Sequence, residues 1–260
     1  MSQGSSVLVE SRGAVRVLTL NRPDSANVLD QQMGRDLLAA ASAVAADPGV
    51  RAVVLTGAGK NFCFGGDLRA MVAGGMPSDA YLRELTSDLH RAIVTLVRLD
   101  APVIAAVNGT AAGAGVGLVA MADLAVCGEG TRFSLAYTGV ALTPDGSTSF
   151  FRPQILVNKR ALEMMLTNRP LGAVEALQWG LVNQVVADGE VLSAALALAE
   201  RLASGPRAAQ AAVKRLVALA GGALEAHLAT EGETIARQSV TAEGQEGIRA
   251  FLEKRKPKFD

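Results

Sequence analysis

The stretch Pro102-Val-Ile-Ala-Ala-Val-Asn108-Gly-Thr-Ala-Ala-Gly113-Ala114-Gly115-Val-Gly117-Leu-Val-Ala-Met-Ala-Asp123 decides how the rest of the chain is read. Its first part is an apolar, β-branched run that predicts a buried strand. Asn108-Gly109 ends that run, and Leu118–Met121 resumes with helical spacing. A strand, a glycine-rich bend and a helix start in this order leave unpaired backbone N–H groups at a positive helix terminus. Such a terminus suits an anion, or negative charge developing on a substrate oxygen. Close helix–strand packing explains the same glycines without any chemistry. Gly113-x-Gly115-x-Gly117 lacks the x-x-Gly spacing of a dinucleotide fingerprint, and no Gly-Lys-Ser/Thr follows for a phosphate loop.

Working outward, Ser78–Leu99 reads as a long amphipathic helix, with Leu82, Leu85, Leu89, Ile93 and Leu96 on one stripe. Before it, Lys60-Asn-Phe-Cys-Phe-Gly65-Gly66-Asp67-Leu68 repeats the theme of strand, glycines and helix start, giving a second candidate N–H cluster. Val53–Thr56 predicts a buried strand. Ser6–Glu10 and Ala14–Leu20 alternate as a hairpin around Ser11-Arg12-Gly13, and Asp30 can cap the helix carrying Leu37, Leu38, Ala41 and Val44. After the central stretch, Leu124–Cys127 supplies a further strand. The order strand, helix, strand predicts α/β layering with right-handed crossovers. From Asn158 helices dominate: Lys159–Leu166, Ala173–Trp179, Val191–Ala203, Arg207–Ala220 and Leu224–Arg237, with a last strand at Leu181–Val186 and breaks at Gly205-Pro206 and Gly221-Gly222. That shift sets an expected boundary near Gly205, and late helices with an apolar face suit packing on another subunit.

Composition bounds the possibilities. The 260 residues are half apolar, carry zero formal net charge and contain few aromatics. Nothing in that balance favours nucleic acid or a membrane surface. Cys63 and Cys127 lie far apart without metal-ligand spacing, so a reducing compartment and no structural metal are expected. Met1–Ser6 lacks the basic and apolar regions of an export signal, which fits a soluble cytoplasmic protein. The apolar region Ala101–Val126 is better explained as strand plus helix than as a membrane span, given Asn108 and the glycines at its centre.

Six motifs, taken in order, resemble the crotonase superfamily, the enoyl-CoA hydratase/isomerase group. They are Asn21-Arg-Pro, Phe62-Cys-Phe-Gly-Gly-Asp67, Asn108 to Leu118, Leu142-Thr-Pro-Asp-Gly146, Glu175-Ala-Leu-Gln-Trp-Gly-Leu-Val182 and Phe251-Leu-Glu-Lys-Arg-Lys256, and they span nearly the whole chain. The resemblance implies an α/β spiral of ββα units over residues 1–204 holding the acyl-CoA site. It further implies a helical trimerisation region over 205–260, a homotrimer or dimer of trimers, and an acyl-CoA thioester as substrate. Members of the family hold the thioester oxygen with two backbone N–H groups, which by position are those of Gly66 and Ala114. The family usually has Gly at the latter position, and the added methyl matters only where φ is positive. Two such donors stabilise an enolate by roughly 3–4 kcal/mol each, so no metal or redox cofactor is called for, and CoA enters as part of the substrate. Ser25, Ala26 and Val28, then Phe64 and Gly65, match family positions for adenine and pantetheine. Asp67, Leu68 and Tyr137 complete the implied substrate site, and Phe251 and Lys254 match residues that reach the CoA of a neighbouring subunit. On charge alone, Lys254-Arg-Lys256 reads as a solvated basic tail.

The departures from the family pattern narrow the reaction. Hydratases of the family carry two glutamates, at positions held here by Gly117 and Tyr137, so hydration by a glutamate pair is not expected. Asp145 lies where isomerase-type members place their carboxylate, although Pro-Asp-Gly is also strong turn chemistry. A lone carboxylate suffices to take a proton from one carbon and return it to another, moving a C=C bond. Phe133 to Thr138 followed by Leu142 to Gly146 is similar to bacterial isomerases of the phenylacetate route, which convert a ring epoxide-CoA to an oxepin-CoA. The alternative enzyme is a 4-chlorobenzoyl-CoA dehalogenase-like hydrolase, whose Asp and His match Asp145 and His90. Tyr137 in place of Trp, and Leu82 and Leu89 in place of an aromatic clamp, argue against it. An enoyl-CoA hydratase with non-standard acid/base groups and a non-catalytic CoA-binding protein complete the alternatives. His90 by itself, at the margin of an amphipathic helix, reads more readily as a satisfied structural histidine than as a base, and His227 and Trp179 read as structural.

Overall fold

The computed structural model describes residues 4–73, 75–220 and 223–258. The start of the Met1–Ser6 stretch, Gly74 within the 71–81 segment, the Gly221-Gly222 break and the terminal Phe259 lie outside the described residues. In chain order the elements are β1 (Val7–Arg12), β2 (Val15–Leu20), α1 (Gln31–Ala46), β3 (Ala52–Gly57), α2 (Leu68–Ala73), α3 (Ser78–Arg98), β4 (Val103–Val107), β5 (Ala111–Ala112), α4 (Ala114–Ala120), β6 (Leu124–Gly128), β7 (Arg132–Ser134), α5 (Thr148–Ile155), α6 (Asn158–Thr167), β8 (Leu171–Gly172), α7 (Ala173–Gln178), β9 (Gln184–Val186), α8 (Val191–Ala203), α9 (Arg207–Ala220), α10 (Leu224–Ser239) and α11 (Ala242–Leu252). No helix among the described residues is long and apolar enough to cross a membrane.

The main sheet runs β1-β2-β3-β4-β6-β9, antiparallel only at the first pair. Strands buried on both faces read as nearly continuous apolar runs, and β3 and β4 are buried throughout, the one polar side chain, Thr56, donating to the Ala106 carbonyl. Their side chains divide by alternation. Val53, Leu55, Val103, Ala105 and Val107 join the larger core under α1, α3 and α4. Ala52, Val54, Ile104 and Ala106 meet Val191, Ala195 and Ala199 of α8 on the other side. Asp30 caps α1 as its sequence suggests, its side chain accepting from the Met33 N–H at 2.8 Å. The whole α3 stripe from Leu82 to Leu96 is buried.

Several expectations need correction. No regular strand forms in 60–68; Cys63 and Gly66 make only single bridges, to Ala111 and Leu29. The last strand is confined to Gln184–Val186, because Leu181 turns back to bond the Ala176 carbonyl. A small second sheet, β5-β7-β8, sits beside the first, and α5 and α11 were not anticipated. Both cysteines are buried and free, and burial pushes their thiols up, to about 12 at Cys63 and about 11 at Cys127.

Candidate active site

The glycines of the central stretch answer three close backbone approaches. A Cβ added at Gly109 would stand 2.0 Å from the Lys60 carbonyl oxygen, at Gly115 2.2 Å from that of Cys63, and at Gly117 1.9 Å from that of Gly146. The first two lock the central bend onto the earlier one, and the third locks α4 onto the Asp145 turn. Their spacing matches no phosphate-binding fingerprint because each serves a different neighbour. Gly113 is the residue whose conformation demands glycine, with φ 51° and ψ −126° ahead of α4. Ala114 is not among the residues with positive φ, so its methyl is tolerated.

The two bends touch. A Cβ at Gly65, itself at φ 80°, would lie 3.2 Å from the Ala114 amide nitrogen and 2.9 Å from the Ala112 carbonyl oxygen, whereas one at Gly66 would meet nothing within 4 Å. Neither the Gly66 nor the Ala114 N–H donates to an acceptor among the described residues. The earlier bend is held by a residue that sequence reasoning missed. Asn27, fully buried at φ 56°, donates from its amide to the carbonyls of Ala58, Asn61 and Phe62 and accepts from the Arg22 N–H. Ala26, also at positive φ, accepts from the Phe64 N–H, joining the Ser25–Val28 loop to the Phe64-Gly65 edge. Asp67 pairs with Arg22 at 3.3 Å and caps α2 through the Arg69 and Ala70 amides, and Leu68 packs on the core.

Asp145 is not a solvent-facing turn residue. It is 4% exposed, and a Cβ at the following Gly146 would lie 2.9 Å from the Ala114 Cβ, so the turn rests against the second bend. His90 Nε2, from the stripe margin of α3, lies 3.0 Å from Asp145 Oδ1, which brings together the two residues that the dehalogenase-like alternative pairs. The buried Tyr137 hydroxyl donates to the Asp145 carbonyl oxygen at 2.9 Å, and the Thr148 hydroxyl does so at 2.8 Å. Burial, with Asp145 and Glu231 nearby, holds the Tyr137 phenol well above its usual range.

A second carboxylate enters that the reading of a lone Asp145 did not include. Glu231 of α10, 5% exposed, accepts from the Ser147 and Ser149 amides, each at 2.8 Å, and from the Ser149 hydroxyl. One nitrogen or oxygen from each of His90, Asp145 and Glu231 lies within 4.8 Å of those of the other two. Burial raises the Glu231 carboxyl to about 7, with Asp145 adding to the shift and the serine hydrogen bonds opposing it. Nothing local in the sequence flags Glu231. The only cue is Gly232 beside it, where a Cβ would stand 3.0 Å from Thr86 Oγ1 and 3.2 Å from His90 Cε1, which explains why α10 can approach α3 so closely. His227, expected to be structural, lies 2.7 Å from the Ser149 hydroxyl. Trp179 stacks under the Arg160 and Arg169 guanidinium groups.

Of the remaining expected positions, Phe251 is exposed at the end of α11 and Lys254 follows it, exposed and at φ 55°. The basic tail is partly paired, since Arg255 binds Glu246 and Glu253.

Known proteins resemble this chain over almost its full length. A family profile described as enoyl-CoA hydratase/isomerase matches residues 10–260. The chain belongs to the enoyl-CoA hydratase/isomerase family. The crystal structure of an enoyl-CoA hydratase from Mycobacterium avium subsp. paratuberculosis superposes with a TM-score of 0.89 at 31% identity, covering 98% of both chains. The 1,2-epoxyphenylacetyl-CoA isomerase of Escherichia coli is 32% identical over 97% of both chains. A 4-chlorobenzoyl coenzyme A dehalogenase of Arthrobacter is 35% identical over 81% of this chain and 77% of its own. The fold is thus the crotonase-like α/β spiral, and the family acts on acyl-CoA thioesters. Its relatives carry three different chemistries on that frame.

Proposed function

We propose that this protein is an acyl-CoA isomerase that shifts a C=C bond, with Asp145 as acid/base and the Gly66 and Ala114 amides as a two-donor hole for the enolate oxygen. The observation that carries the reading is the Asp145-Gly146 turn. It rests Gly146 against Ala114 and buries the Asp145 carboxylate beside it, while the Gly146 carbonyl fills the space a side chain at 117 would need. With a 3-enoyl-CoA, the ionised Asp145 takes a proton from the α-carbon, and the C–H electron pair moves into the enolate. Asp145 then returns the proton at the γ-carbon as the double bond moves next to the thioester. His90 orients the carboxylate through its hydrogen bond. Epoxide-to-oxepin ring isomerisation of a CoA thioester, the other reaction of the isomerase reading, requires the same enolate hole. The similarity to the E. coli isomerase supports both.

In this reading Ser25, Ala26, Val28, Phe64, Gly65, Asp67, Leu68 and Tyr137 form the acyl and CoA site. Residues 1–204 are the catalytic unit, and 205–260 are the trimerisation region that lends Phe251 and Lys254 to the CoA on a neighbouring subunit. CoA arrives as part of the substrate, the chemistry calls for no separate cofactor, and the protein works in the cytoplasm. The His90–Asp145 contact favours one second reading, in which Asp145 attacks an aryl ring and His90 serves the hydrolysis that follows. The Arthrobacter relative supports it.

One comparison separates the two. Wild type and Asp145→Asn are assayed for conversion of 3-enoyl-CoA to 2-enoyl-CoA and for chloride release from 4-chlorobenzoyl-CoA. Isomerisation that falls about a thousandfold in the variant is the expected result. Equal isomerisation rates would remove Asp145 from the mechanism, and chloride release would move the assignment to the hydrolase.

A further inference from the structure

We propose that Glu231, Ser149 and His227 form a proton relay joining the buried Asp145–His90 pair to solvent. The proposal rests on Asp145 being the acid/base of the reaction. A base that buried meets little bulk water directly: the Asp145 side chain is 5% exposed and the His90 side chain beside it 12%. On the far side of the pair the polar groups form a line. Glu231 stands within 4.8 Å of both, a span short enough for one bridging water. Its Oε1 accepts from Ser149 Oγ, Ser149 Oγ is 2.7 Å from His227 Nε2, and the His227 side chain is 39% exposed.

The titratable groups facing Glu231 are Asp145 and Tyr137 from the preceding loops, His90 from α3 and His227 from its own helix. No Lys or Arg is paired with it among the described residues, so the carboxyl has no fixed cation holding it ionised. Burial raises its affinity for a proton to near neutrality and lowers that of His227, which leaves His227 neutral and able to accept. The Ser147 and Ser149 amides fix the Glu231 carboxyl whether or not Ser149 donates to it, so the hydroxyl is free to reorient.

The proton balance is simple. A substrate proton on Asp145 leaves as its O–H bond breaks and one forms on Glu231. Glu231 then passes a proton to Ser149 Oγ while the original Ser149 proton moves to His227 Nε2, and His227 releases it to water. Ser149 ends as it began, and no electron is transferred. Release by this route competes with direct return of the proton to the other carbon, so the relay sets how much of the transferred hydrogen comes from solvent.

Full-length wild type, Ser149→Ala and His227→Gln are run in heavy water with a 3-enoyl-CoA, and deuterium per product molecule is read by mass spectrometry. In parallel, the ring of His227, one of two histidines in the chain, is titrated by NMR in the free wild type and in Glu231→Gln. The relay predicts loss of most deuterium per turnover in both relay variants. It also predicts a His227 titration with two inflections that becomes a single, lower one in Glu231→Gln. Undiminished deuterium in Ser149→Ala and His227→Gln would overturn it. Failure of wild type to isomerise at all would instead overturn the proposed function and leave the titration to decide. A His227 curve indifferent to Glu231→Gln sinks the relay, and a shifted one sustains it. Should Glu231→Gln not fold, Ser149→Ala, which keeps both backbone bonds to Glu231, takes its place in the titration.

Discussion

Gly117 shows how one position can limit chemistry through space alone. A Cβ there would sit 1.9 Å from a backbone oxygen, and a backbone atom cannot swing aside as a side-chain end can. Gly117→Ala is expected to destabilise the fold by about 3 kcal/mol, read by chemical denaturation, and Gly117→Glu should lose more while gaining no hydratase activity. The two glycine bends could be picked from sequence because glycine runs are local signals, whereas Asp145 stood out only through the family resemblance, Pro-Asp-Gly by itself reading as a turn. Asn27, Ser149 and Glu231 could not be picked. Each acts across long sequence separations, and an isolated Asn, Ser or Glu looks the same in a loop or on a solvated face.

Among the elements, α10 is the one whose role was least legible. Its amphipathic spacing announced a helix, but not that it would bring a carboxylate to His90 and Asp145. The pH dependence of stability is where this is felt. Glu231 has an ordinary value of 4.5 and about 7 in the fold, so between those values the folded chain holds a proton that the unfolded chain has released. Stability contributed by that proton is full below pH 4.5 and is lost as pH rises through 7, about 3 kcal/mol in all. His227, lowered by burial, acts in the opposite direction as pH falls below its ordinary value of 6.5. Denaturation of wild type and Glu231→Gln at pH 5 and pH 8 should therefore show the variant gaining relative stability at the higher pH. The long helices and parallel strands were readable because their patterns run over many residues. The two-residue strands β5 and β8 and the bridges at Cys63 and Gly66 were not, since pairing that short is set by the partner and leaves no periodicity.

At the scale of the whole molecule, α9 shows Val213, Leu216 and Val217 to solvent at helical spacing, an apolar face that a lone chain leaves wet. The proposed trimer covers such a face. Sedimentation is expected to give a trimer or its dimer for wild type, and smaller species for Leu216→Glu, with weaker CoA-thioester binding if Phe251 and Lys254 serve a neighbouring subunit. The path of the main chain has one further consequence, for anyone wishing to redesign this protein. Because the oxygen of Gly146 already stands where a carboxyl arm at 117 would begin, installing the water-adding pair found in sister enzymes is a matter of rerouting a loop and not of swapping two letters. Changes of reaction on this scaffold should therefore arrive together with insertions or deletions around residues 143–148.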